Sequence, residues 1–150
     1  MFYTSYLSSN LSFEELSEVV QHFFSGHDEI IRSAEDELSV SSQGFTLRLT
    51  KGGNNVAFAS EDYATSFDYC LWFEIISSYK DWADDLMRFT NYLLERSAGD
   101  YVLEANGDKP ILLRQAGELY IDPNIGDGSF PFHLISLPYA EKSLMRQDSC

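Results

Sequence analysis

Apolar and polar residues alternate with period two between positions 67 and 75. Phe67, Tyr69, Leu71, Phe73 and Ile75 are apolar, and Asp68, Cys70, Trp72 and Glu74 fall between them. That period predicts a strand over 67–76 with one face turned to a core. Two other stretches repeat at helical spacing. In the first, Leu16, Val19, Val20, Phe23 and Phe24 form a stripe that predicts a helix over 13–25. Ser12 and Glu15 have the spacing of a capping box, Glu14 adds charge to the first turn, and Gly26 stands just past the end. In the second, Trp82, Leu86, Phe89 and Leu93 step along one side of a helix that ends at Gly99. Asp81, Asp84 and Asp85 at its start and Arg96 at its end complement the helix dipole, and Asp84 and Arg88 are spaced to pair.

Shorter runs predict the rest of a sheet. "FYTSYL" (2–7) reads as a first strand, with a short strand or turn at Ile30–Ile31 and a loop or edge strand before Gly44. "FTLRLT" (45–50), the turn "KGGNN" and "VAFAS" (56–60, with Val56 and Phe58 on one side) predict a meander leading into 67–76. Three more strands are expected near 101–105, 111–115 and 118–122, joined by "NGD" and "AG", with Pro110 at a strand start. The apolar run Phe130–Leu137 is expected to pack back onto the core. The fold expected is α+β: an antiparallel sheet of about five to six strands against two helices. It forms a single domain over 1–150, with 138–150 as a flexible tail.

Composition changes the picture mainly through charge. Of 150 residues, 24 are acidic and 10 basic, a net charge of -14. Nucleic-acid binding rests on Lys and Arg displacing counterions from phosphates, so this balance argues against it. Anionic membrane surfaces are disfavoured for the same reason. A basic protein partner is favoured, because complementary potentials speed encounter. No run of apolar residues is long enough to span a bilayer, and the N-terminus lacks a basic start. The expected compartment is the cytoplasm. Cys70 lies within an apolar run and reads as a small core residue, and Cys150 is terminal.

Tests for chemistry fail in turn. "KGGNN" and "GDGS" lack the strand, glycine-rich loop and helix grammar of a phosphate site. "DPNIGDG" places Asp127 and His133 where a calcium loop needs Gly and Glu. His22 and His27 are five apart, which separates them around a helix, and His22 reads as an end-charge residue. No nucleophile elbow and no activated cysteine are present. The expectation is a protein without enzymatic activity, cofactor or metal.

What remains is the other face of the 67–75 strand. It carries Asp68, Trp72 and Glu74, with Arg48 on a nearby strand to balance one acid. Glu61, Asp62 and Tyr63 extend it at one end. An aromatic flanked by carboxylates suits a basic protein surface. Glu61, Asp62, Tyr63, Asp68, Trp72 and Glu74 are therefore the candidate partner-binding residues.

"FTLRLT", "FDYCLWFEI", "DWADDLMRF", "VLEANGDKPILLR" and "FPF", spread over residues 45–135, together resemble bacterial immunity proteins of polymorphic-toxin and contact-dependent inhibition systems. The resemblance implies a single-domain acidic protein that binds a cognate toxin, candidate nucleases included, and neutralises it by occlusion. It assigns no toxin-contact residue. The other reading of the same surface is an acidic adaptor or regulatory module without inhibitory action.

Overall fold

The computed structural model describes residues 1–25, 30–125 and 130–144. Among these, nine strands form one sheet, with three α-helices and one turn of 3-10 helix. The strands are β1 (Phe2–Leu7), β2 (Ile30–Ser33), β3 (Glu37–Ser41), β4 (Phe45–Lys51), β5 (Tyr69–Ile75), β6 (Tyr101–Ala105), β7 (Lys109–Gln115), β8 (Glu118–Ile121) and β9 (Ala140–Glu141). The helices are α1 (Phe13–Phe24), α2 (Asn54–Asp62) and α3 (Trp82–Arg96), and the 3-10 turn is Phe132–Leu134. The class is α+β as expected, but the sheet is larger than five to six strands and a third helix is present.

The spatial order is β2-β3-β4-β5-β1-β6-β7-β8-β9. Every neighbouring pair is antiparallel except β8 and β9, which are parallel. The first strand of the chain thus lies at the centre, between β5 and β6. That position explains why Tyr3 through Leu7 are buried without a break: both sides of β1 are covered.

The larger core lies between one face of the sheet and helices α1 and α3. Tyr69, Leu71, Phe73 and Ile75 of β5 enter it, as their parity predicts. Phe24 of α1, Phe45 of β4, Phe73 of β5 and Phe89 of α3 form a ring cluster, with Phe45–Phe73 centroids 5.4 Å apart and Phe73–Phe89 5.7 Å apart, both edge-on. Edge-on rings add roughly 0.5–1.5 kcal/mol per pair beyond buried area. Phe130, Phe132, Ile135 and Leu137 do pack back onto this core.

Both predicted helices form, with local reasons. Ser12 Oγ accepts from Glu15 N–H at 3.1 Å, and Glu15 Oε1 accepts from Ser12 N–H at 3.0 Å, closing the capping box on α1. Gly26 and His27 lie outside the described residues, as do Asp127 and Cys150. On α3 the ion pair is Asp85–Arg88 at 3.5 Å, three residues apart, in place of the expected Asp84–Arg88. The last turn of α3 is held by Arg114 of β7. Its Nε donates to Gly99 O at 2.7 Å, Nη1 to Leu94 O at 2.8 Å, and Nη2 to Ser97 O. One guanidinium thus takes up carbonyls that the helix end leaves unpaired. Gly99 follows because the chain runs against Ser8 there, and a Cβ would collide with the Ser8 carbonyl.

The expected meander gives way to a different path. Residues 54–62 are helix α2, and "VAFAS" is not a strand. Val56 and Ala59, three apart, are buried, while Phe58 is 60 % exposed. The alternation over four residues satisfies a strand pattern, but the same four residues also satisfy one helical turn. β4 therefore pairs directly with β5, and the intervening chain crosses the sheet's second face.

The C-terminal segment reaches the far edge. Lys142 N–H donates to Ile121 O at 3.0 Å, and Leu144 N–H to Asp122 Oδ2 at 3.1 Å. Asp122 Oδ1 accepts from Asn124 N–H at 3.0 Å, so its buried carboxylate serves two backbone donors.

Candidate partner-binding face

The second face of the sheet is built from the residues that alternate with the core. Along β1 these are Phe2, Thr4 and Tyr6, and along β5 they are Cys70, Trp72 and Glu74. Register extends the rows: Arg48 of β4 stands opposite Trp72, and Ser39 of β3 opposite Arg48. On the other side Thr4 stands opposite Glu104 of β6.

Half of this face is roofed. Val56 and Ala59 of α2, with Tyr63 just after it, cover Tyr6, Cys70 and Val102. Phe67 joins this second cluster, which corrects its expected place beside the helices of the main core. Residues 67 and 68 precede β5, so strand parity does not govern Phe67. The Tyr63 hydroxyl donates to the buried carboxylate of Glu104, tying the end of α2 to β6. Burial pushes the Cys70 thiol up to about 12, with a further upward push from Glu104 against a downward pull from Arg48. A thiol so placed stays protonated and unreactive, as a small core residue should.

The other half is open. Its centre is a pair of stacked rings: Phe2 and Trp72 lie 4.3 Å apart, 8° from parallel. Both are half-buried. Trp72 Nε1–H donates to Glu74 Oε2 at 3.4 Å, which sets the indole edge against an exposed carboxylate. Beside it runs a shallow groove of about 280 Å³ bounded by Glu37, Ser39, Ser41, Thr46, Arg48, Trp72 and Glu74. Arg48 Nε lies 3.7 Å from Glu37 Oε1, so the balancing pair joins β4 to β3 and leaves Asp68 and Glu74 aside.

The candidate residues named from sequence fall in three places. Trp72 and Glu74 share the open half. Glu61 is exposed and Asp62 half-buried on α2, but Tyr63 is buried and holds Glu104. Asp68 turns toward the start of the chain's first helix, where its Oδ2 accepts from Ser9 N–H at 3.1 Å. The tyrosine buried beneath it feels that side's charge. The Tyr69 phenol is raised by burial first, then by Asp68, Glu14 and Glu15. Sequence patterns alone do not find two members of the open face, Phe2 and Glu37. Phe2 shares the alternation of β1, but only the β1–β5 register brings it to Trp72.

Among the described residues no group of three or more His, Cys, Asp or Glu side chains is placed to hold a metal ion, and no helix is long and apolar enough to cross a membrane. The open face thus brings together a ring pair, a shallow groove and the carboxylates of Glu37 and Glu74. The SitI3-like family model matches residues 1–127, and the chain belongs to that family, whose members are immunity proteins of toxin systems. No curated protein and no solved structure matches it.

Proposed function

We propose that the protein binds a cognate toxin and neutralises it by covering the toxin's working surface, with the open half of the second sheet face as the contact. The observation that carries this reading is the Phe2–Trp72 stack, half-exposed on the half of the second sheet face that α2 leaves uncovered. Stacked, immobilised rings bind with little loss of side-chain freedom and make efficient anchors. A net charge of -14 favours a basic toxin, a nuclease being one such class. Under this reading the protein performs no bond-making of its own.

The test is protection of cells that express a toxin recovered from the source organism by pull-down with this chain. Trp72→Leu should remove protection and weaken the complex at least ~30-fold, the loss of a hot-spot anchor. Trp82 fluorescence and a thermal melt confirm that the variant is folded. Full protection by folded Trp72→Leu would overturn the assignment of the face.

One observation favours a second reading, an adaptor that binds without inhibiting. The exposed Glu14, Glu15 and Glu18 of α1 form an acidic region on the opposite layer, away from the rings. If that region is the contact, Glu14→Gln with Glu18→Gln will abolish binding while Trp72→Leu leaves it unchanged.

A further inference from the structure

We propose that the groove beside Trp72 holds the guanidinium of an arginine side chain presented by the protein partner. This rests on the reading of the open face as the contact, and adds which chemical group it takes.

The indole has two faces, and Phe2 occupies one of them. Phe2 belongs to β1, on one side of β5, whereas the groove is bounded by residues of β3, β4 and β5 on the other. The groove therefore lies on the side of the indole away from Phe2. A cation over that ring face would gain the attraction of the ring's quadrupole. Arg48 is the cross-strand neighbour of Trp72, yet its guanidinium is drawn to Glu37. Among the described residues the cations seated over rings are Arg96 on Tyr92 and Lys142 on Tyr120, so the Trp72 ring carries none.

Charge points the same way. The charged groups bounding the groove are Glu37, Arg48 and Glu74. Arg48 offsets Glu37, and Glu74 makes no ion pair among the described residues. One negative charge is left over, at the edge of the ring. Arg32 lies on the same row but on the outer strand, three strand spacings or about 14 Å from Trp72, too far to serve it.

The occupant is a guanidinium in preference to an ammonium. A guanidinium is planar, weakly hydrated and stacks on a ring while its N–H fork meets a carboxylate in plane. Trp72 supplies the ring and Glu74, already at the indole N–H, supplies the carboxylate. The hydroxyls of Ser39, Ser41 and Thr46 along the groove give acceptors for the remaining N–H groups.

The experiment uses the whole ¹⁵N-labelled chain and follows the two indole N–H signals, assigned with Trp72→Phe. The probe is the blocked tripeptide acetyl-Gly-Arg-Gly-amide, with the citrulline and lysine versions as controls. The arginine peptide should shift the Trp72 signal and saturate in the millimolar range while the Trp82 signal stays fixed. Citrulline should produce no saturable shift, lysine should bind at least about threefold more weakly, and Glu74→Gln should weaken the arginine peptide by a similar factor. An unmoved Trp72 signal, or equal shifts with citrulline, overturns the inference. Equal binding of lysine overturns its guanidinium preference. Failure here together with loss of toxin protection in Trp72→Leu sinks this inference alone. Intact protection in Trp72→Leu sinks the contact face itself, whatever the peptide does.

Discussion

The two faces of the sheet are made by the same strands, yet they are finished differently. Against α1 and α3, alternate residues of β4, β5 and β1 meet a continuous apolar layer with interlocked rings. On the other face the same strands carry Thr46, Arg48, Cys70, Trp72, Glu74 and Thr4. Only part of that face is roofed, by a short helix whose N-cap residue, Gly53, has no side chain to cap it. The first face supplies stability. The second keeps a rigid, ring-bearing patch exposed because the first has already provided the core.

This division predicts unequal costs. Phe89→Ala removes a fully buried ring touching Phe23, Phe24, Phe45 and Phe73. The expected loss is about 3–5 kcal/mol, enough to unfold many domains of this size. Urea melts monitored by circular dichroism measure it. A cost below about 1 kcal/mol would mean that the two faces contribute alike, and the contrast between them would fall.

The roofed half should cost less. Tyr63→Phe keeps the ring but withdraws a hydroxyl from the buried Glu104 carboxylate. Taking a hydrogen-bond partner from a buried polar group costs about 1–3 kcal/mol. Because the contact joins α2 to β6, the same change should raise hydrogen exchange in α2 more than in α3. Equal exchange in both helices would show that α2 is not an independently opening unit.

Much of the first face is legible in the amino-acid sequence. The Ser12–Glu15 box, the stripes of α1 and α3 and the parity of Tyr69 through Ile75 are local patterns, and each forms where its spacing places it. The second face is less legible because its features depend on pairing across distance. Phe2 and Trp72 are seventy residues apart in sequence, and only strand register stacks them. Glu37 meets Arg48 through the β3–β4 pairing in the same way. The alternation of "VAFAS" reads locally as a strand. Because that stretch is a helix, Tyr63 swings inward onto β6. Charge is legible as a sum, but the face it serves is not.

Alkaline pH separates the faces by a different route. The Cys70 thiol of the second face and the Tyr101 phenol of the first are each pushed up to about 12 by burial. Both folded values exceed the unfolded ones, so both groups keep their protons in the native state at a pH where the unfolded chain has lost them. Stability they contribute is full below the unfolded pKa and is lost as pH rises through the folded value. Denaturant melts should therefore show stability falling from about pH 9 upward. Cys70→Ala should remove the part that begins near pH 9 and leave the phenol's part, which begins about a unit higher. If Cys70→Ala leaves the profile unchanged, the thiol is not sealed beneath α2, and the roofed half of the second face is looser than its packing implies.

The smallest effect on stability is expected at Phe58, and it sharpens the boundary of the open face. Phe58 is 60 % exposed on α2, on the side opposite Val56 and Ala59. Phe58→Ser removes little buried surface, so the melting curve should move by no more than about 0.5 kcal/mol. Its effect on toxin protection decides how far the contact extends. Unchanged protection confines the contact to the Phe2–Trp72 half, with α2 acting as a roof alone. Lost protection in a variant of unchanged stability makes the outer side of α2 part of the contact. In that case Glu61, one turn along from Phe58, should show a smaller loss on Glu61→Gln that diminishes as salt is added, because an exposed carboxylate acts mainly through a screened field.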